Sequence, residues 1–122
     1  MSAPVHDPNC LFCKIALGQI PSRKVYEDDE IVGFHDIHPW APVHFLLIPK
    51  QHVPSLAQVT DAHQAVLGRM LVLAPKLALQ EGCNPYPDGG HRVVINTGRE
   101  GGQEVQHLHV HVIGGPRPWL KG

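Results

Sequence analysis

The segment His107-Leu108-His109-Val110-His111-Val112 alternates histidine with aliphatic residues near the end of a 122-residue chain. Successive side chains of a β-strand point to opposite faces of its sheet. The alternation therefore predicts a strand over residues 107–113, with three imidazoles on one face and aliphatic side chains on the other. A single histidine on an exposed edge is commonly incidental. Three in register, preceded by a glycine-bearing loop, indicate a functional surface.

The segments upstream of this strand predict four further strands and two helices. Strands over 24–27 and 30–35 flank Asp28-Asp29, as in a tight hairpin. The other elements are a short helix over 10–17 that Gly18 ends, strands over 44–48 and 92–96, and a long helix. Thr60 or Asp61 caps the long helix, Pro75 should kink or locally loosen it near its last two turns, and Gly82 ends it. Because no strand-helix-strand unit repeats, we predict an α+β fold: a five-stranded antiparallel sheet with one long and one short helix.

Size and composition limit both the domain count and the partners. Residues 1–122, with 43% hydrophobic content, suffice for a single domain, in which 1–9 is a flexible N-terminal arm. Ten Lys and Arg against eleven Asp and Glu create no basic field, so we expect neither nucleic acid nor a membrane as a partner. No N-terminal leader sequence is recognisable, and no stretch of the chain nears the roughly 20 apolar residues of a membrane span. Three cysteines, an odd number, suit a reducing compartment. These features predict a cytoplasmic protein.

Two chemistries use a row of imidazoles on one strand face. Histidines can hold a catalytic zinc that keeps an open position for water. Alternatively, a neutral imidazole can attack phosphorus and form a covalent phosphoramidate that water later cleaves. The second chemistry requires a group that fixes the attacking tautomer and donors for the phosphoryl oxygens. A backbone carbonyl, His111 and the N–H groups of the loop over 98–103 are candidates for these roles.

The residues around the histidine strand resemble the histidine triad (HIT) nucleotide-binding family, specifically its HINT branch. The resemblance rests on the triad followed by Gly114-Gly115 and covers nearly the whole chain. The other shared motifs are Phe12-Cys13-Lys14-Ile15, Ile20-Pro21, Glu27-Asp28-Asp29, Phe34-His35-Asp36-Ile37, Ala41-Pro42, His44-Phe45-Leu46-Leu47-Ile48-Pro49-Lys50, Val94-Ile95-Asn96, Gly101-Gly102-Gln103 and Trp119. The resemblance implies a HIT-like fold, a nucleotide hydrolase of the adenosine 5′-monophosphoramidase type, and a homodimer.

The resemblance also implies a role for each matching residue. His109 would be the nucleophile that becomes nucleotidylated, and His111 would hydrogen-bond the phosphate. The implied substrate-binding residues are Phe34, Asp36, Ile37, Asn96, Gly102, Gln103, His109, His111 and Trp119, with Leu11 or Phe12 completing the apolar slot for the base. Taken without the resemblance, core packing would explain Phe34 and Ile37 equally well, and a turn would explain Asp36.

Glu104 departs from the family pattern, because many members carry a serine after Gly101-Gly102-Gln103. An ionised carboxylate cannot donate a hydrogen bond, and a phosphate repels it. We therefore predict that Glu104 either turns to solvent or favours cationic amine leaving groups.

Cys10 and Cys13 form a Cys-x-x-Cys pair, which suits a metal site but needs two more ligands. A buried pair of small apolar side chains is the alternative. His52 and His107 would complete the set, as the resemblance to some relatives implies. The result would be a closed structural zinc site that leaves His109 free. Cys83 is expected to be a free thiol, and surface or local structural roles are expected for His6, His35, His38, His44, His63 and His91.

The leading prediction is a purine nucleoside phosphoramidase that hydrolyses the P–N bond of AMP or GMP amine conjugates through a covalent nucleotidyl-His109 intermediate. Its chemical step would need no cofactor, and its partner would be a purine nucleotide substrate. The first alternative is a zinc-dependent hydrolase in which all three strand histidines are ligands. The second is a non-catalytic nucleotide-binding module, since a fold can be retained without its activity.

Overall fold

A computed structural model describes residues 6–119, which form an antiparallel sheet with a helix on each face. The strands lie in the order β1-β2-β3-β5-β4. The element bounds are α1 Leu11–Ala16, β1 Lys24–Glu27, β2 Ile31–His35, β3 Val43–Pro49, α2 Gln64–Gln80, β4 His91–Val94 and β5 Val110–Gly114, with 3-10 turns at Leu56–Gln58 and Asp61–His63. The predicted α+β fold, with five antiparallel strands, one long helix and one short helix, is confirmed.

The ends of both helices follow from local side-chain and backbone chemistry. Cys10 precedes α1, and its Sγ accepts a hydrogen bond from the Cys13 N–H at 3.3 Å. Gly18, at φ +76°, follows the helix in the left-handed conformation that glycine adopts without strain. Thr60 caps the 3-10 turn that leads into α2, and the helix continues through Pro75. In the N-terminal arm, residues 1–5 lie outside the described residues, whereas Asp7 accepts a hydrogen bond from the Cys10 N–H.

The sheet is buried on both faces, which explains why every residue of β3 is buried. Phe45 and Leu47 of β3 pack with Val110 and Val112 of β5 in the cluster beneath α2. Leu46 belongs to the opposite cluster, which contains the residues of α1. The histidines of β3 and β5 alternate with the residues beneath α2, so they lie on the α1 face of the sheet. Within residues 6–119, no helix is long and apolar enough to span a membrane.

The strand predicted over 107–113 begins later, at Val110, so His107 and His109 precede β5. The register pairs Val110 with Leu47, which would place Leu108 opposite Pro49, a residue that has no N–H to donate. The Leu108 N–H instead donates to the Val53 carbonyl at 2.7 Å. The strand predicted over 92–96 likewise covers residues 91–94. Three imidazoles therefore lie on one segment, but only His111 is in the sheet.

Candidate active site

His109 is held in a single tautomer by the backbone immediately before it. Its Nδ1 lies 2.7 Å from the carbonyl oxygen of His107 and therefore carries the proton that donates to it. The lone pair is consequently on Nε2. The ring is 6% exposed and meets the edge of the Phe12 ring at 5.2 Å between centroids. Burial lowers the pKa of His109, which keeps the ring neutral and able to act as a nucleophile near pH 7.

His111 is held in the opposite tautomer by a chain of hydrogen bonds that begins at the backbone of Trp40. The Trp40 N–H donates to His44 Nδ1 at 3.0 Å, so the proton of His44 is on Nε2. That Nε2–H donates to His111 Nδ1 at 3.0 Å, which leaves a proton on His111 Nε2. Burial lowers the pKa of His44 and, more strongly, the pKa of His111 to about 4. His111 therefore presents a neutral N–H donor on the α1 face, close to His109, with 5.0 Å between ring centroids.

His44 takes part in this arrangement, although its sequence context predicted only a surface or local structural role. Its side chain is buried, and it connects the Trp40 backbone to His111. Asp36 Oδ2 lies 3.5 Å from His44 Nε2. One signal in the sequence indicated more: a histidine inside a fully apolar strand is a buried polar group, and such groups need partners. We refer to His44, His109 and His111 as the active-site histidines.

Four other side chains gather beside this group, and they are the predicted zinc ligands. One ligand atom from each of Cys10, Cys13, His52 and His107 lies within 4.8 Å of all the others. His107 Nδ1 is 3.3 Å from Cys10 Sγ and 3.6 Å from Cys13 Sγ, and His52 Nδ1 is 3.3 Å from Cys13 Sγ. His107 Nε2 donates to the Pro49 carbonyl at 2.8 Å, so its Nδ1 lone pair faces the thiols. We call these four residues the Cys/His cluster.

The donor set of the Cys/His cluster suits zinc, which prefers two to four thiolates with imidazole nitrogens in closed structural sites. Burial raises the pKa of the Cys13 thiol to about 11. A bound cation would stabilise the thiolate and reverse that effect. The Pro49 backbone carbonyl, which accepts from His107 Nε2, is the kind of partner that orients a metal-binding imidazole. The residues present therefore fit a structural zinc ion.

The three histidines of the segment do not converge on one point, as the zinc-dependent alternative requires. Both ring nitrogens of His107 are directed to Pro49 and to the thiols. A second group of possible ligands, Asp36, His44 and His111, does lie within 4.8 Å. There, however, His44 would have to offer a lone pair at Nε2 while Nδ1 accepts from Trp40. A neutral imidazole has only one such nitrogen, so this group suits a hydrogen-bond chain better than a metal.

The residues predicted to bind the nucleoside lie in two environments. Phe34 is buried and packs edge-on against Phe12, with 5.4 Å between ring centroids. Ile37, by contrast, is 86% exposed, so packing in the core of this chain does not account for an isoleucine at this position. Asp36 Oδ1 accepts the His38 N–H at 2.7 Å, the turn contact expected of that position. Leu11 is 45% exposed. The predicted set therefore combines a buried aromatic pair with two exposed aliphatic side chains.

The loop over 98–103 uses most of its N–H groups internally, contrary to the prediction that it offers them to a phosphate. The N–H groups of Gly101, Gly102 and Gln103 donate to carbonyls within the loop. The Gly98 N–H donates to Gln103 Oε1 at 2.9 Å, and Gln103 Nε2 donates to the carbonyls of Pro54 and Val105. Gln103 therefore holds the loop in place, with Gly102 at φ +86°. Asn96 is half-buried just after β4.

Trp119 lies apart from the active-site histidines of its own chain. Its Nε1–H donates to the Gly115 carbonyl at 2.9 Å, and its ring is flanked by the guanidinium groups of Arg92 and Arg117. The cavity it lines is formed by the end of α2, the start of β4 and the tail, without His109 or His111. Glu104 is exposed, and its negative charge, with that of Asp36, acts to raise the pKa of His109 against the larger effect of burial.

Comparison with known proteins identifies relatives along most of the chain. Residues 9–120 match the family model described as scavenger mRNA decapping enzyme C-terminal binding. Protein HitA of Neisseria gonorrhoeae is 51% identical over 108 residues, which cover 88% of this chain and 97% of that protein. The purine nucleoside phosphoramidase of Escherichia coli (strain K12) is 46% identical over 105 residues, 86% of each chain.

Solved structures give the same result at the level of the fold. A HIT family hydrolase from Legionella pneumophila Philadelphia 1 superposes with a TM-score of 0.83 at 47% identity, covering 89% of this chain and 95% of its own. A histidine triad protein from Clostridium difficile gives a TM-score of 0.86 at 42% identity, covering 93% and 96%. Sequence and fold comparisons agree, and this chain belongs to the histidine triad family.

Proposed function

We propose that this protein is a purine nucleoside phosphoramidase that cleaves the P–N bond of AMP or GMP amine conjugates through a nucleotidyl-His109 intermediate. One observation carries the proposal: His109 keeps a lone pair on Nε2 while His111 keeps a proton on Nε2. A nucleophile and a hydrogen-bond donor thus lie side by side in neutral form, as attack on an anionic phosphorus requires. The phosphoramidase activity named for the Escherichia coli relative supports the same chemistry.

In the first step, His109 Nε2 attacks phosphorus and forms a P–N bond as the bond to the amine breaks. The amine nitrogen takes a proton from solvent and leaves. His111 Nε2–H hydrogen-bonds a phosphoryl oxygen, whose negative charge grows during attack. The Nδ1–H of His109 still donates a hydrogen bond to the His107 carbonyl, so the nucleotidylated ring is cationic. The nearby negative charges of Asp36 and Glu104 stabilise that cation.

In the second step, water attacks phosphorus and the bond to His109 Nε2 breaks. The electron pair returns to Nε2, and the proton released by water balances the one taken by the amine. The products are the amine and the nucleoside monophosphate, with the enzyme restored. No step of this path needs a metal ion. In the proposal the Cys/His cluster therefore has a structural role, as a zinc site that ties α1 to the segment before β5.

Substrate recognition in the proposal uses the residues implied by the family. Asp36 accepts hydrogen bonds from the ribose hydroxyls, and Phe34, Ile37 and Leu11 enclose the purine. The high exposure of Ile37 and Leu11 supports this role, because two uncovered aliphatic side chains gain from covering a planar base. Asn96, Gly102 and Gln103 complete the proposed binding set within the chain. Trp119 lies apart from the active-site histidines of its own chain, and in the proposed homodimer it would reach the site of the other subunit.

The proposed enzyme is a cytoplasmic homodimer. Leu71 and Leu79 of α2 are about half exposed, and Val93 is exposed on β4, an edge strand of the sheet. Pairing two such edges and helices would bury this apolar surface. The mass in solution, measured by light scattering, tests the dimer: a monomer at micromolar concentration would exclude it.

Trapping the intermediate tests the mechanism. The enzyme is mixed with an AMP-amine phosphoramidate, quenched within milliseconds in alkaline denaturant, digested, and analysed by mass spectrometry. We expect the mass of a nucleotidyl group on His109. The mass on any other residue, or no covalent adduct during rapid turnover, would refute covalent catalysis by His109. Zinc analysis of untreated and chelator-treated protein tests the cluster separately, and absence of zinc from untreated protein would exclude the structural site.

A further inference from the structure

His107 belongs to both parts of the site at once. Its side chain is a member of the Cys/His cluster, and its carbonyl oxygen accepts the hydrogen bond that fixes the tautomer of His109, at 2.7 Å. A single residue therefore connects a possible metal to the nucleophile without any intervening side chain. Because the carbonyl and the imidazole belong to the same residue, holding the ring in place at both nitrogens restricts the backbone that carries the carbonyl.

A second contact runs between the same two groups through α1. Phe12 lies between the cluster cysteines Cys10 and Cys13, and its ring meets the edges of both His107 and His109, with centroids 6.0 and 5.2 Å apart. The cluster thus borders His109 on two sides, through the His107 carbonyl and through the Phe12 ring. Both would be constrained together when the four ligands are drawn to one ion.

The protein's own contacts on the cluster side of His107 are weak. Its Nδ1 faces sulfur atoms at 3.3 and 3.6 Å, and thiols are poor hydrogen-bond donors. The Pro49 carbonyl restrains only Nε2. A zinc–nitrogen bond at Nδ1 would replace these contacts with a directional one and fix the ring in place.

We propose that His107 is a positioning residue: metal held by the Cys/His cluster fixes the His107 backbone, which keeps His109 in the tautomer with its lone pair at Nε2. The inference rests on the proposed nucleophile and on the proposed zinc site. Such a link works in both directions, because coupling between two binding sites is reciprocal. Nucleotide bound against His109 therefore raises the affinity of the cluster for zinc.

The zinc affinity of the cluster tests this coupling on the intact protein. The equilibrium partition of zinc between the protein and a chromogenic chelator is measured with and without saturating AMP, whose binding is measured in parallel. We expect AMP to raise the zinc affinity about five-fold or more, and equally so in Cys83→Ser, which removes a thiol outside the cluster. An unchanged zinc affinity despite AMP binding would overturn the coupling. Absence of AMP binding would contradict the proposed function, and with it the coupling that rests on that function.

The tautomer of His109 gives a readout that general destabilisation would not reproduce. Nitrogen-15 NMR at pH 8 distinguishes a ring protonated at Nδ1 from one protonated at Nε2. We expect a single Nδ1–H form in the zinc-loaded protein and a mixture in His52→Asn, which removes one ligand and retains three. The same variant should lose kcat with little change in KM. One identical tautomer in both proteins would refute the positioning role of His107.

Discussion

Two groups of buried histidines adjoin one another on the α1 face, and they are prepared for different chemistry. In the Cys/His cluster, His107 donates through Nε2 to a carbonyl and turns its Nδ1 lone pair toward two thiols. Among the active-site histidines, His109 donates through Nδ1 and keeps its lone pair on Nε2. The difference teaches that the partner of one ring nitrogen decides what the other can do. Neighbouring histidines are thus suited to the two proposed roles, metal ligand for His107 and nucleophile for His109.

The largest expected effect separates these two groups completely. His109→Ala removes the nucleophile, and we expect kcat/KM for an AMP-amine phosphoramidate to fall about 10,000-fold or more. Zinc content should remain that of the wild type, because no cluster ligand changes. His91→Asn, at an exposed histidine on β4, serves as the control and should retain activity. Substantial turnover by His109→Ala would remove the proposed difference between the groups.

A smaller loss is expected from breaking the hydrogen-bond chain behind His111. His44→Phe leaves the Trp40 N–H and His111 Nδ1 without their shared partner, so His111 can turn its proton away from the substrate. We expect kcat to fall about 10- to 100-fold, the usual effect of losing an outer-shell partner. His44→Gln can accept with its carbonyl and donate with its amide, and should recover part of the loss. Equal activity of the two variants would argue against a tautomer role for His44.

The stability of the protein should depend on pH because the buried imidazoles resist protonation. Burial lowers the pKa of His111 from 6.5 to about 4, so the unfolded chain binds a proton more readily between these values. The stabilisation is complete above pH 6.5 and is lost as the pH falls toward 4. We expect this group to contribute roughly 3 kcal/mol to the decline. Urea unfolding across this pH range should show a smaller decline in His111→Gln; an equal decline would place the effect elsewhere.

The smallest expected effect concerns Glu104, the exposed carboxylate whose charge reaches His109. Exposed ion pairs contribute little, so its preference for a cationic over a neutral amine leaving group should be about five-fold at most. Glu104→Gln should abolish that preference and the salt dependence that accompanies it. Glu100→Gln, in the preceding loop, is the matched control and should retain both. Equal selectivity in the wild type and Glu104→Gln would mean that Glu104 faces solvent and does not select the leaving group.

Much of this architecture was accessible from residue patterns. The period of two through the triad predicted a strand that places His111 on one face, and the Cys-x-x-Cys pair indicated half of a metal site. His44 was missed because alternation shows which face a side chain occupies but not what lies across from it. The loop over 98–103 misled for a related reason: its glycines suggested free N–H groups, whereas the Gln103 side chain and local carbonyls take most of them.

The sequence by itself determined the fold class, the residues of the Cys/His cluster and the family to which the chain belongs, since these depend on periodicity and motif order. Only the tertiary structure decided which nitrogen of each imidazole carries a proton. The deciding partners, the Pro49 carbonyl for His107 and the Trp40 N–H for His44, belong to other segments of the chain. An imidazole has two chemically similar nitrogens, so its role is fixed by hydrogen bonds that exist only after those segments have packed together.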